Sequence, residues 1–328
     1  MNNNISDYLV FYPKSREALA KSLQKHNPEK QMTLYELDQK LFPDGEPEFT
    51  LPSLHECFNR DVLYIADWTT CEHRYYDILC LAPIAELGPR TLTILLPFLG
   101  SGTMERESAD GNIATANVEA KLLSWIPGAG IKRVITVDLH TLQNQFYYNN
   151  TSVTMESAMP HVVKLLGLHP FPVQTESPEF ETITAPPRYM VCFPDNGAKS
   201  RFAKYFEGLE TAICGKVRKG AEERAITLEE GDVSGKDILI VDDLVRTGGT
   251  LLTAAEVLKA NGAKSVSVFV THAVFPGQSW RKFLDSPLIK RFFTTDSVYS
   301  VAEEIWYADP AQSKFETIDL GQCLSGVL

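Results

Sequence analysis

This 328-residue sequence has no membrane span, no zinc knuckle and no nucleic-acid-binding arm. Its apolar runs all fall well short of the roughly 20 residues that cross a bilayer. The six cysteines (Cys57, Cys71, Cys80, Cys192, Cys214 and Cys323) include no C-x-x-C pair and no zinc spacing. Cys192 and Cys214 fall in apolar segments and read as small core residues, so a reduced intracellular setting is expected. There is no basic block either. Asp plus Glu outnumber Lys plus Arg by 42 to 31, a net charge of −11. This argues against a nucleic acid or an anionic membrane as partner, and a polyanionic ligand would need locally placed cations. The polar N-terminus lacks the basic and long apolar regions of a secretory signal. The last three residues, Gly326, Val327 and Leu328, do not form the peroxisomal tripeptide, so the expected location is the cytoplasm.

What is present is ordinary for a soluble globular chain: 44% hydrophobic and 22% charged residues. The length suits two domains of about 150 residues each. Short apolar strands alternate with helix-like stretches. Residues 8–11, 62–66, 91–96 and 133–137 read as strands in the first half, with helices at 15–25, capped by Ser15, and at 114–123. In the second half the strand-like runs are 190–191, 211–214, 238–241 and 265–270. Alternation of this kind predicts βαβ units and a mainly parallel sheet in each half. Residues 170–187, rich in Pro, Ser, Thr and Glu, read as a long surface loop. The expected division is 1–155 and 156–304, with a C-terminal tail of about residues 305–328 packing back on the first half.

The most informative run is 238–252, Ile-Leu-Ile-Val-Asp-Asp-Leu-Val-Arg-Thr-Gly-Gly-Thr-Leu-Leu. A buried strand ends at Asp242 and Asp243, the edge where open α/β sheets bind ligands. Thr247, Gly248, Gly249 and Thr250 then make a tight turn into a helix that Asn261-Gly262 stops. Backbone N–H groups at that helix start would face a phosphate, with the threonine hydroxyls as added donors. The two carboxylates suit a pair of vicinal hydroxyls. Together they describe a site for a ribose 5-phosphate, shared by phosphoribosyltransferases and phosphoribosyl pyrophosphate (PRPP) synthetases.

Other segments carry chemistry less specifically. Asp138 and His140 follow the strand at 133–137, and His140 there could ligate a metal, bond a phosphate or lie in a solvated loop. The turn around Pro43-Asp44-Gly45 is a hairpin or loop in which Phe42 could stack on a nucleobase while Asp44 and Glu46 accept from its amino groups. Gly215 and Gly220 bracket a cationic tract in which Lys216 and Arg218 could close on charge developing during a reaction; a solvated basic loop is the plainer reading. Asp195 starts a helix as a Mg²⁺ ligand or a plain cap. Residues 100–106 look like an anion-binding loop with Arg106 as its cation, and His272 reads as structural.

Taken in order, these segments resemble the ribose-phosphate pyrophosphokinases, that is the PRPP synthetases, over nearly the whole chain. Wording such as Ala114-Thr-Ala-Asn117, Asp138-Leu-His-Thr-Leu-Gln143 and Thr271-His-Ala-Val-Phe-Pro276 is similar to the class II enzymes best known from plants. The resemblance implies two doubly wound parallel-sheet α/β domains of the phosphoribosyltransferase type. It implies transfer of the β,γ-diphosphoryl group of ATP to the C1 hydroxyl of ribose 5-phosphate, giving PRPP and AMP. In that scheme Phe42, Asp44 and Glu46 hold adenine, reaching across from a neighbouring subunit of a homo-oligomer. Arg106 and His140 serve the nucleotide, and His140 and Asp195 hold its Mg²⁺. Lys216 and Arg218 are the catalytic pair, Asp242 and Asp243 bind the ribose hydroxyls, and residues 247–250 bind the 5-phosphate.

The chain departs from the common class I pattern in two places. No Arg-Gln-Asp tripeptide occurs between Phe98 and Lys121, which leaves Arg106 as a substitute in a longer loop, and Arg246 stands where the common form has an acid. Both fit class II, for which the resemblance implies activity without phosphate activation, little inhibition by ADP and a relaxed choice of nucleotide. Two other readings stand beside it. A phosphoribosyltransferase would use the 238–252 run but give no role to Phe42, Asp44, Glu46 or His140. A non-catalytic regulatory homologue would be expected to lose the loop cations, yet Lys216 and Arg218 are present.

Overall fold

A computed structural model describes residues 7–107, 109–128, 131–168, 188–219 and 223–328. The run 170–187, expected as a surface loop, lies outside the described residues. The chain divides into two compact units: residues 1–157 with 297–299 and 319–328, and residues 158–296 with 300–318.

The first unit is built on strands β1 (Asp7–Tyr12), β2 (Gln31–Glu36), β5 (Asp61–Ile65), β6 (Thr91–Leu96), β7 (Ile131–Val137) and β8 (Ser152–Glu156), with a separate hairpin of β3 (Asp38–Leu41) and β4 (Pro47–Thr50). The six strands form one parallel sheet in the order β2-β1-β5-β6-β7-β8. Its helices are α1 (Glu17–His26), α2 (Cys71–Glu86) and α3 (Thr115–Trp125). All five residues of β5 are buried, as expected of a central parallel strand covered on both faces. Ser15 does not cap α1: the helix starts after Arg16, and the Ser15 hydroxyl donates instead to Asp67, 2.6 Å away. A carboxylate in the loop just after the neighbouring strand β5 competes better for that hydroxyl than a helix amide does.

The second unit holds α4 (Met159–Leu165), β9 (Met190–Phe193), α5 (Asn196–Phe202), β10 (Thr211–Lys219), β11 (Glu223–Glu230), β12 (Asp237–Val245), α6 (Gly249–Ala260), β13 (Ser265–Ala273), α7 (Arg281–Leu284), β14 (Phe292–Thr295), most of α8 (Tyr299–Ala308) and β15 (Phe315–Ile318). Its seven strands run in the order β11-β10-β9-β12-β13-β14-β15, parallel except for the β10–β11 pair. His272 lies within β13, not after it, and is buried, in keeping with a structural role. The last helix, α9 (Leu320–Cys323), belongs to the first unit and packs on α1. That approach needs glycine at 321, where a Cβ would sit 2.3 Å from the Ser22 hydroxyl oxygen. Ser22 in turn donates to Asp319, the N-cap of α9, at 2.6 Å.

Candidate active site

Strand order decides where each sheet can bind. In the second unit β9 and β10 run outward one way, and β12 then returns to the other side of β9, so the topological switch lies between β9 and β12. Asp195 follows β9, and Asp242 and Asp243 stand near the carboxyl end of β12, which runs on to a buried Val245 where the sequence suggested a strand ending at the two acids. Three of the expected residues thus lie at the sheet edge beside this switch point, where open α/β sheets bind ligands. The burial of β12 shows the change: residues 238–241 are enclosed, after which exposure alternates and Asp242 is partly exposed. Asp243 is 1% exposed.

Arg201 joins the pair, and sequence reading missed it. From α5 its Nη2 donates to Asp243 Oδ1 at 2.5 Å and to Asp242 Oδ1 at 3.2 Å. The Asp243 N–H also donates to Asp242 Oδ1, at 2.9 Å. Burial, and then the neighbouring Asp243 carboxylate, push the Asp242 carboxyl above the usual range, while Arg201 opposes them. Asp195 caps α5, accepting from the Ala198 N–H at 2.9 Å. A capping carboxylate keeps acceptor capacity for a second partner.

After β12 the chain turns through Arg246 and Thr247, both exposed, to Gly248. Gly248 is the N-cap of α6 with φ +76°, and a Cβ there would lie 2.4 Å from Phe283 Cζ. No side chain caps α6, and its first backbone bond runs from the Leu252 N–H to the Gly248 carbonyl. The N–H groups of Gly249, Thr250 and Leu251 therefore come before the helix ladder and are suited to an anion. Gly249 has nothing within 4 Å of where its Cβ would be.

The cationic tract is strand where a loop was expected. β10 continues to Lys219 and pairs with β11, Lys216 opposite Ile226 and Arg218 opposite Arg224. The backbone of this antiparallel arm leaves the sheet beside β9. The side chains of Lys216 and Arg218, and residues 220–222, lie outside what the structure describes.

In the first unit, β6 and β7 are neighbours, and the loops that follow them carry Arg106 and His140. The loops are tied together: Asn144 Nδ2 donates to the Gly102 carbonyl at 3.0 Å and the Tyr147 hydroxyl to the Glu105 carbonyl at 2.6 Å. Arg74 pairs with Glu119 at 3.0 Å, and Ser101 donates to the same carboxylate, holding the loop's start against α3. Arg106 is 82% exposed and 3.5 Å from Glu105, which leaves its guanidinium largely in solvent. His140 is half-buried, just after Asp138 with its φ of +38°. The turn bearing Phe42, Asp44 and Glu46 tips the β3–β4 hairpin, which rests on α2 through the Phe49–Tyr76 edge contact at 4.9 Å. All six residues from 41 to 46 are exposed.

A cavity of about 280 Å³ sits at the switch point of the first sheet, where β1, β2 and β5 end. None of the residues singled out above as binding or catalytic line it. Its acids already have partners. Asp67 takes Arg16 at 2.9 Å and Ser15 at 2.6 Å, while Asp77 accepts from the Tyr64 hydroxyl and the Asp67 N–H, each at 2.7 Å. Burial pushes Asp77 up to about 7. Burial also acts to raise Asp67, but His73, Arg16, Ser15 and Thr69 together hold it well below the usual carboxylate range. This network ties the start of α1, β5 and α2 to the loop after β5.

Comparison with known proteins places these elements. Residues 198–296 match the phosphoribosyl transferase domain family. The chain is 31% identical to ribose-phosphate pyrophosphokinase 4 of Arabidopsis thaliana, over 97% of this chain and 91% of that protein. It is 31% identical to the mitochondrial ribose-phosphate pyrophosphokinase 3 of Spinacia oleracea, over 97% and 76% respectively. Against the chloroplastic ribose-phosphate pyrophosphokinase 3 of Oryza sativa subsp. japonica the identity is 32%, and this chain spans 64% of that protein's length. A solved phosphoribosylpyrophosphate synthetase from Mycobacterium smegmatis has the same fold, with a TM-score of 0.76 at 19% identity over 98% of this chain and 97% of the other. The expected parallel-sheet α/β class is thus the observed one.

Proposed function

The chain belongs to the ribose-phosphate pyrophosphokinase family, and on that premise we propose that it transfers the β,γ-diphosphoryl group of ATP to the C1 hydroxyl of ribose 5-phosphate. The C1 oxygen attacks the β-phosphorus, the bond from that phosphorus to the α–β bridging oxygen breaks, and AMP leaves with that oxygen. The observation that carries the assignment is the set of residues at the switch point between β9 and β12. Asp242 and Asp243 stand there before the uncapped start of α6, and Asp195 stands on the adjoining strand end.

In this reading Asp242 and Asp243 accept from the ribose hydroxyls, and Thr247, Gly248, Gly249 and Thr250 cradle the 5-phosphate with backbone N–H groups and hydroxyls. Lys216 and Arg218, carried on the β10–β11 arm, stabilise charge on the transferring group. The first unit is the nucleotide-binding half, with Arg106 and His140 on the tied β6 and β7 loops. Phe42, Asp44 and Glu46, exposed at a hairpin tip, take the adenine of a neighbouring subunit in a homo-oligomer. Little covalent chemistry falls to the protein, so positioning and electrostatics supply most of the rate.

The metal is Mg²⁺. Among the described residues no three His, Cys, Asp or Glu side chains converge as a self-contained metal site. A nucleotide-borne Mg²⁺ needs none, because it keeps waters and phosphate oxygens and takes only one or two protein donors. Asp195 in the second unit, a hard oxygen donor with capacity left beyond its cap, would serve it, and His140 in the first unit is the other donor assigned to it. Bound there, it would neutralise phosphate charge. No helix among the described residues is long and apolar enough to cross a membrane. We place the protein in the cytoplasm on composition alone, since relatives also carry chloroplastic and mitochondrial names.

The test is to incubate the protein with ribose 5-phosphate, ATP and Mg²⁺ and to measure AMP and PRPP together. Equimolar AMP and PRPP are expected, whereas ADP as product, or no turnover with any nucleoside triphosphate, sinks the reading. Repeating the assay without inorganic phosphate tests the class II assignment, which predicts undiminished activity.

A further inference from the structure

Asp242 and Asp243 are adjacent acids, one 1% exposed as a residue and the other with 17% of its side chain exposed. Two carboxylates so placed repel each other and lose hydration, and a nearby cation offsets part of both costs and fixes the pair. Neighbouring residues of a strand point to opposite faces, and a single partner rarely reaches both. Arg201 does so with one nitrogen, at 2.5 Å and 3.2 Å. The Asp243 N–H adds a third bond, to the same Asp242 oxygen that Arg201 holds. Each carboxylate is thereby held in one orientation before any ligand arrives.

Arg201 is itself enclosed, with 13% of its side chain exposed. It stands in the last turn of α5, the helix that Asp195 caps. One short helix thus carries the acid proposed for the metal–nucleotide at its start and the clamp on the sugar acids at its end. Arginine suits this place because its planar fork can serve two acceptors while its charge never titrates.

We propose that Arg201 is the positioning residue of the sugar subsite, holding Asp242 and Asp243 as a preset pair of acceptors for the vicinal hydroxyls of a sugar phosphate. The inference rests on the assignment of those acids to ribose 5-phosphate. Arg201 does not touch the ligand; it acts through the two carboxylates.

The experiment compares wild type, Arg201→Gln, Arg201→Lys, Asp243→Asn and the Arg201→Gln/Asp243→Asn double variant. Readouts are KM for each substrate, kcat, and calorimetric binding of ribose 5-phosphate. Arg201→Gln should raise KM for ribose 5-phosphate roughly 10- to 100-fold, the scale of a lost hydrogen bond to a charged group, with KM for ATP unchanged. Arg201→Lys should recover part of the loss. The double variant should cost less than the two single changes combined, because removing one charge relieves the repulsion that Arg201 offsets. An unchanged KM for ribose 5-phosphate overturns the proposal. So do equal rises for both substrates without rescue by lysine, or strictly additive losses. Should Arg201→Gln fail to fold, Arg201→Lys and the double variant still decide. If wild type makes no PRPP yet binds ribose 5-phosphate, the assigned reaction fails while the binding series still tests Arg201.

Discussion

Gly248 and Gly249 are neighbours in the phosphate turn, yet the structure gives them different work, and replacing each by alanine should separate folding from binding. At Gly248 alanine meets two penalties. With φ at +76° the residue occupies the left-handed region, which costs a non-glycine residue roughly 1–2 kcal/mol. Its Cβ would also lie 2.4 and 2.5 Å from the Phe283 ring, an overlap of the kind that costs about 1–3 kcal/mol in a packed core. Phe283 is fully buried among Phe275 and Phe292 and cannot simply swing away. Gly248→Ala should therefore lose about 2–5 kcal/mol, or roughly 4–20 °C in Tm for a unit of this size. At Gly249 φ is not left-handed and a Cβ would meet no protein atom within 4 Å. Gly249→Ala should leave stability within about 0.5 kcal/mol of wild type, as expected for a substitution that strains nothing. Its methyl group would occupy ligand space, so KM for ribose 5-phosphate should rise. Urea denaturation gives the stabilities, and initial rates against ribose 5-phosphate give KM. The reasoning is refuted if Gly248→Ala is as stable as wild type, or if Gly249→Ala loses stability but binds the sugar phosphate normally.

Two further outcomes follow from other parts of the molecule. Lys216→Ala should lower kcat by roughly 10²- to 10³-fold with little change in either KM, as for a lost transition-state donor; a raised KM with kcat intact would make Lys216 a binding residue only. Asp77 titrates near 7 in the folded chain against the usual 3.8, so its protonated form is the one the fold favours. That contribution is fully present below about pH 4 and disappears as pH rises through 7, a change of roughly 4 kcal/mol. Asp77→Asn should flatten the matching slope of stability between pH 4 and 8, and a wild-type-minus-variant difference that stays constant across that range would show that burial does not perturb Asp77.

The parts of the site legible in the sequence were those written locally. β-branched runs at 62–65 and 238–241 mark strands buried on both faces, and a turn with two glycines before an apolar helix marks an anion cradle, because each depends on backbone conformation over a few residues. The cationic tract was legible by composition but not by shape: its extension as β10 to Lys219 requires a partner strand, β11, that charged residues do not announce. Ser15 looked like a helix cap because nothing nearby in sequence reveals Asp67, 52 residues on.

By itself, then, the sequence determined that a strand, two carboxylates, a glycine turn and a helix follow one another at residues 238–260, and with that the kind of ligand they suit. Tertiary structure alone decided that β12 returns beside β9, which brings Asp195 to the same sheet edge as Asp242 and Asp243. It also decided that Arg201, some 42 residues before Asp243 in the chain, bridges both acids, and that α9 closes on α1 through Gly321. The physical reason is the range of the interactions. Helix and turn signals arise from neighbouring residues, whereas strand order and buried ion pairs are set by which distant surfaces bury each other, and no local pattern encodes that choice.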